Sequence, residues 1–418
     1  MPFIKTPVKG MPEQLPEDMV IREYVIRQIK DAYRTYGFDL IETPIIEHIE
    51  NLTSKEGGEN EQLIFKIMKR GEKLATATGP DDMCDSGLRY DLTVPLARFY
   101  ANNADKLPVP FKACQIGPSF RADRPQKGRF RQFTQCDIDI LGDSSNLAEI
   151  ELMAATADML SRLDLGCFTI RVNDRRLLKE MAVFCGMPAD KLDTVFIILD
   201  KMDKVGLDGV RDMLAAEGID PTAIEKYTAL YQDLETPFQS SRAYLTARGL
   251  PFADGEITEN LDTIMETVAS TLGDKGKIIF DPTLVRGMGY YTGPIFEVEL
   301  AAFRLSVAGG GRYDEMIGKY MGHPVPACGF SIGLERILAV LKDKGFRIPG
   351  GAENTAFLID KKVPQNKIRD VMKQAKTLRQ MGVRALVVRR NSNAKFQKEQ
   401  LTRAGYGRFI EIFKDALQ

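Results

Sequence analysis

Apolar positions in residues 17–36 recur at helical spacing. Ile21, Tyr24, Val25, Ile29, Ala32 and Tyr33 share one stripe, and Gly37 ends the run. This predicts an amphipathic helix, followed by an extended segment over residues 39–46. Strict alternation then appears twice. In residues 88–93, Leu88, Tyr90 and Leu92 oppose Arg89, Asp91 and Thr93; in residues 133–140, Cys136, Ile138 and Ile140 oppose Phe133, Gln135, Asp137 and Asp139. A two-residue period predicts strands with one apolar and one polar face. Further strands are predicted at 277–280 and 296–307, and an apolar helix at 330–341.

Residues 173–274 carry a mostly helical pattern with many Asp and Glu, and lack the arginine and glycine clusters found on either side. They read as a helical insertion. FRIPGGAEN, residues 346–354, has linker composition. Beyond it, residues 356–359, 368–381, 383–388, 395–403 and 409–412 alternate as strand and helix, a small C-terminal α/β domain that stops after its third strand. The expected layout is a core at 1–172 and 275–345, interrupted by the insertion at 173–274 and followed by the small domain at 352–418.

At 418 residues the chain is too long for one ordinary core. The first 16 residues lack the pattern of a signal peptide, and no apolar run is long enough to cross a bilayer, so a cytoplasmic location without membrane attachment is the default expectation. Six scattered cysteines and only two histidines, His48 and His323, leave no spacing suited to a zinc site, a redox pair or Ser-His-Asp chemistry. No metal site made by the protein alone is expected. Catalysis must then rest on arginines, carboxylates and bound cofactors. The net charge of −1 hides an asymmetry: residues 352–418 hold 15 Lys and Arg against 6 Asp and Glu, a balance of +9, and the rest sums to −10. An anionic partner for the tail and a solvated helix face explain this equally well on charge alone.

Five segments carry candidate chemistry. FRADRPQKGRFRQFTQCDID, residues 120–139, sets Arg121, Arg124, Lys127, Arg129 and Arg131 in a loop that Pro125 and Gly128 keep from being helical, directly before the polar-faced strand. Converging arginines give planar contacts suited to a triphosphate. There is no GxxxxGK[ST], so the segment is not a P-loop. Asp91, Thr93, Gln135 and Asp139 suit a ligand with an ammonium group and a second donor, although pairing of Asp91 with Arg89 would explain the carboxylate equally well. LVRGMGYYTG, residues 284–293, has a glycine-permitted bend able to aim Arg286 and Tyr291 into one pocket; a structural turn accounts for the same letters. AGGGRYDEMIG, residues 308–318, permits close backbone approach but is not a dinucleotide fingerprint. GFSIGLERI, residues 329–337, sets Glu335 and Arg336 among apolar positions, where the arginine either snorkels at the surface or faces a nucleotide.

In this order the segments resemble the class II aminoacyl-tRNA synthetases and, within them, the histidine–tRNA ligases. The resemblance covers roughly residues 5–345. FRADRPQKGRFRQF is similar to the class's second motif and GFSIGLERI to its third, while the helix leading into GFDLIETP, with Pro44, is similar to its dimer-forming first motif. LRYDLT, VRGMGYYTG and AGGGRYD resemble segments specific to the histidine enzymes. The resemblance implies an α+β fold with an antiparallel sheet flanked by helices, a homodimer, and ligation of L-histidine to tRNA(His) with ATP and Mg2+. It implies that Asp91, Thr93 and Gln135 hold the amino acid's ammonium and backbone polar groups, and that Asp139 and Tyr291 read the imidazole. Leu92, Tyr290 and Tyr313 would complete the histidine pocket. Arg121 would bind the α-phosphate, Arg286 would bridge it and the substrate carboxylate, Phe133 and Arg336 would sandwich adenine, and Asp123 and Arg129 would serve the ATP side. Arg286, Arg121 and Gln135 would be the catalytic set.

Two positions depart from the family pattern: Gly289 stands where many members carry an acidic residue, and Asp123 where glutamate is commoner. The shortened C-terminal domain resembles the family's anticodon-binding module. The rival expectation is a histidine-sensing regulatory subunit of ATP phosphoribosyltransferase, built on the same core but without aminoacylation. It predicts loss of the ATP-binding arginines and no such C-terminal domain.

Overall fold

The computed structural model describes residues 3–53, 59–126, 128–234, 237–285, 289–303, 305–349 and 353–414. The chain forms two compact units, one of residues 1–12 and 27–344 and one of residues 13–26 and 345–418. The predicted first helix is Pro16–Thr35, with Val25, Ile29, Ala32 and Tyr33 buried as its stripe requires. The boundary between units falls within it.

The first unit is organised by an eight-stranded sheet. Its strands are β1 (Asp39–Ile41), β2 (Phe111–Phe120), β3 (Gln132–Leu141), β4 (Phe168–Asp174), β5 (Gly276–Phe280), β6 (Pro294–Leu300), β7 (Leu305–Arg312) and β8 (Ala327–Gly333). The spatial order is β1-β2-β3-β8-β7-β6-β4-β5. Pairing is antiparallel from β2 through to β4, and parallel only at the two edges. This is the α+β architecture expected. Helices Leu147–Arg162 and Leu334–Asp343 pack against the middle of the sheet. In β3, Cys136, Ile138 and Ile140 are at most 1% exposed. The opposite face of the strand is buried too, and it is polar. A three-stranded antiparallel sheet of Ile46–His48, Lys66–Met68 and Cys84–Leu88 belongs to the same unit.

Three local expectations are corrected. The alternation over 88–93 is not a strand: the strand ends at Leu88 and helix Thr93–Asn103 begins five residues later. Asp91 explains the switch, because its Oδ1 accepts from the backbone N–H of Thr93 and of Val94, both at 3.1 Å, and so closes the first turn of the helix. The segment at 330–341 begins as β8 and becomes helical only at Leu334. A short apolar run buried on both faces does not distinguish strand from helix. The segment at 296–307 is two strands, β6 and β7, separated by a turn.

Between β4 and β5 the described residues form six α-helices, from Arg175–Phe184 to Glu256–Thr271. The last packs on Leu147–Arg162 and β4, so these helices are part of the first unit. In the second unit, β9 (Asn354–Ile359) lies between β10 (Ala385–Arg389) and β11 (Tyr406–Ile412), both parallel to it. Helices Gln365–Gln380 and Ala394–Arg403 make the crossovers. Phe357, Ile359, Val371, Ala375 and Ile412 form its core. Among the described residues no helix is long and apolar enough to cross a membrane.

Candidate active site

Two strands meeting a glycine-rich strand leave room over the sheet. A cleft of about 260 Å³ opens there. It is lined by Asp91, Thr93, Arg121, Asp123, Arg129, Phe133, Gln135, Asp139, Tyr290, Tyr291, Tyr313 and Arg336. The structure thus gathers into one cavity candidates that lie more than 240 positions apart in the chain. Leu92 is not among the lining residues: its side chain is 1% exposed in the core, and its carbonyl accepts from Gln115 Nε2 at 3.1 Å. Arg286 lies outside the described residues.

The floor of the cleft is β3. Its polar face carries Gln135, Asp137 and Asp139, which are 7%, 3% and 3% exposed. Asp139 Oδ1 accepts a hydrogen bond from the Tyr313 hydroxyl at 2.6 Å. Tyr313 itself sits between β7 and helix Asp314–Met321. Its neighbour Arg312 anchors it, donating to both Glu149 oxygens at 2.6 and 2.7 Å and to the carbonyls of Asp143 and Ser145. Burial pushes the Asp139 carboxyl up to about 7, against the hydrogen bond from Tyr313, with Asp91 adding like-charge repulsion. Asp137 is raised well above the usual carboxylate range, first by burial and then by Asp139. Asp91 is raised in the same direction by burial, offset by its backbone donors and by Arg121. Arg89 is not its partner. That guanidinium points away, donating to the carbonyls of Thr43, Pro44 and Pro118.

Close packing of backbone makes the cavity possible. Gly329 pairs with Asp139 across the sheet, and a Cβ there would lie 2.0 Å from Asp139 Oδ1. A Cβ on Gly310 would lie 1.9 Å from the Gly329 carbonyl oxygen. These glycines supply space rather than special φ angles.

The cationic wall is the connection between β2 and β3. Gln126 and Arg129 exchange backbone hydrogen bonds at 3.1 and 2.9 Å, and Gly128 takes φ 75° to close the turn. Arg121 donates through Nε to the Tyr90 carbonyl at 3.2 Å and stacks over the Tyr90 and Phe133 rings, at 4.1 and 5.1 Å from their centroids. Arg129 pairs with Asp123 at 3.0 Å. Arg336 donates to the Ser306 carbonyl at 2.5 Å. The tyrosines of the remaining wall touch one another: Tyr290 and Tyr291 ring centroids are 4.8 Å apart, and Tyr290 meets Tyr313 edge-on at 6.0 Å.

The cleft also contains residues that the sequence reading left out of the site. Asp137 and Ser331 line it, as does Glu335, whose oxygens both accept from the Thr134 N–H at 3.0 Å. Asp137 was legible, since it shares the polar face of β3. Ser331 was hidden by the expectation of a helix there. Among the described residues no three or more His, Cys, Asp or Glu side chains converge as a metal site.

A family model described as histidyl-tRNA synthetase matches residues 10–337. A histidine–tRNA ligase of Leifsonia xyli subsp. xyli is 39% identical over 425 residues, spanning 98% of this chain and 96% of the relative. Among solved structures, the histidyl-tRNA synthetase from Nostoc sp. PCC 7120 has a TM-score of 0.80 at 26% identity, covering 99% of this chain and 92% of that one. A protein from Bacillus halodurans C, described as an ATP phosphoribosyltransferase regulatory subunit/histidyl-tRNA synthetase, has a TM-score of 0.78 at 20% identity, covering both chains fully. That likeness is one of fold.

Proposed function

The chain belongs to the histidyl-tRNA synthetase family, and from that premise we propose that the cleft activates L-histidine with ATP and that the chain passes the histidyl group to tRNA(His). The carboxylate of histidine attacks the α-phosphorus, pyrophosphate leaves, and a terminal ribose hydroxyl of the tRNA then displaces AMP. No protein nucleophile is required. Positioning and charge neutralisation supply the acceleration.

Asp139, held by Tyr313, faces the imidazole with Tyr291, while Asp91, Thr93 and Gln135 receive the ammonium group. A cationic ligand would draw the buried carboxyls toward their ionised form, and the buried pocket penalises a side chain that leaves Asp139 unpaired. Arg121 neutralises the α-phosphate, its plane fixed by Tyr90 and Phe133. Arg129 and Asp123 serve the distal phosphates, Phe133 and Arg336 flank adenine, and Arg286 bridges the α-phosphate and the substrate carboxylate. Mg2+ would come with the nucleotide, since it commonly takes one or two carboxylates and fills its shell with phosphate oxygens and water. Glu335 and Asp123 line the cleft beside the arginines and would be the carboxylates to meet it. The bound ion would neutralise phosphate charge.

The +9 balance of residues 352–418 supports tRNA contact by the second unit. Leu40, Ile45 and Ile46, between 41% and 57% exposed around β1, support a homodimer through that edge of the first unit. The reaction is placed in the cytoplasm, with translation.

The observation that carries this reading is the buried Asp139–Tyr313 hydrogen bond beside a stacked arginine in one cleft. The regulatory-subunit alternative is disfavoured, because Arg121, Arg129 and Arg336 all face the cavity. Incubating the purified chain with histidine, ATP, Mg2+ and tRNA(His) should yield acid-precipitable histidyl-tRNA. Binding of histidine without charging would favour the regulatory role.

A further inference from the structure

We propose that Asp137 is a third carboxylate of the amino-acid subsite, positioning the ammonium group of the substrate through its Oδ1 beside Gln135. The proposal rests on the histidine reading above and adds to it a residue outside the expected set.

Asp137 lies between Gln135 and Asp139 on one face of β3, 3% exposed, and borders the cleft. Its Oδ1 has no hydrogen-bond partner among the described residues, and neither has Gln135 Oε1. The other ends of both groups are occupied: Gln135 Nε2 donates to Ser331 Oγ at 2.9 Å and approaches Asp137 Oδ2 at 3.4 Å. Two acceptors on neighbouring same-face side chains are therefore buried without a donor, although Ser331 also bonds the Asp137 carboxyl, and a buried polar atom without a partner is costly.

The chemistry of the missing donor follows from the surroundings. Across the sheet, Asp137 is in register with Gln115 and Ser331, neither of them charged. Gln115 is spent on Thr43 and the Leu92 carbonyl. Asp91, Asp137 and Asp139 share the cleft with Arg121, whose guanidinium lies over aromatic rings. On the same face, Arg89 lies against Gly117, the register partner of Gln135, and feels the charge of Asp137, but its hydrogen bonds go to Thr43 and to the carbonyls of Pro44 and Pro118. The subsite has an excess of acceptors and of negative charge, and an ammonium group brings three donors and a positive charge. Burial by itself favours the protonated carboxyl. The arriving cation favours the ionised form, so the contact strengthens as it forms.

The test compares L-histidine with 3-(imidazol-4-yl)propionate, which lacks only the ammonium group, by calorimetric titration of the full chain. Asp137→Asn should weaken histidine binding about tenfold or more and leave the deamino analogue within about twofold. Equal loss for both ligands would mean a merely structural role and overturn the proposal; so would no loss for either. Ser331→Ala, which releases the group holding Gln135, should give the same split at smaller size, so that a misfolded Asp137→Asn protein does not leave the question open. Wild-type protein that binds no histidine would instead remove the ligase reading, and the proposal with it.

Discussion

Adding one methyl group at Gly329 tests the geometry of the pocket without replacing any polar side chain. The new Cβ of Gly329→Ala would stand 2.0 Å from Asp139 Oδ1 and 3.1 Å from Tyr313 Cε1. Ordinary contact begins near 3.4 Å, so the carboxylate must withdraw by roughly 1 Å or more, since β8 is held by strands on both sides and cannot yield cheaply. The 2.6 Å bond from Tyr313 is lost, and with it the alignment of Asp139 that the proposed histidine pocket requires. A misplacement of about 1 Å costs on the order of 10²-fold in a positioned site, and overpacking a core costs about 1–3 kcal/mol of stability. Histidine-dependent exchange of labelled pyrophosphate into ATP would measure the effect. kcat/KM for histidine should fall about 10²-fold, with the KM for ATP near its wild-type value. Wild-type kcat/KM for histidine in a folded Gly329→Ala protein would refute the placement of the amino acid against Asp139.

The remaining predictions concern charge. The Asp139 carboxyl, pushed up to about 7, binds its proton more tightly in the folded chain than in the unfolded one. Stability of the empty protein should therefore fall as pH rises from about 4 to 7, by up to about 4 kcal/mol from this group, and Asp139→Asn should flatten the profile in thermal unfolding. On the proposed role of ionised Asp139 in holding the imidazole, the KM for histidine should rise as pH drops below 7, which initial rates from pH 5.5 to 8.5 would show. Arg121→Lys keeps the charge but loses the planar stack on Tyr90 and Phe133; adenylate formation at saturating histidine should slow about 10²-fold or more in rapid quench, and retention of the rate would argue against an α-phosphate role. Glu149→Gln removes the buried charge facing Arg312, which keeps Asp314 at 3.2 Å and two backbone carbonyls, so unfolding free energy should drop by about 2 kcal/mol in denaturant titration. The KM for histidine should rise with it, because Tyr313 is the next residue.

Much of this was legible where one residue's character suffices. The alternation in 133–140 places both the apolar core and the polar floor, because a strand separates its faces whatever its partners are. The C-terminal domain and the first helix follow from period in the same way. What the letters concealed depends on partners. Asp91 reads as one member of an alternating strand until its carboxylate is seen accepting the first N–H groups of a helix. Leu92 adjoins it yet turns into the core. Ser331 belongs to the floor only because β8 lies against β3, and an apolar stretch with small residues does not announce that pairing. The role of Gly329 was likewise invisible, since the constraint is set by Asp139, 190 positions earlier.

The central claim is that this cleft selects histidine through Asp139 and Tyr313. Pyrophosphate exchange into ATP, run with each of the twenty amino acids in turn, addresses it most directly. Exchange with histidine alone is expected in the wild type, with loss of that preference in Asp139→Ala. Exchange driven equally by another amino acid, or an undiminished preference for histidine in Asp139→Ala, would contradict it.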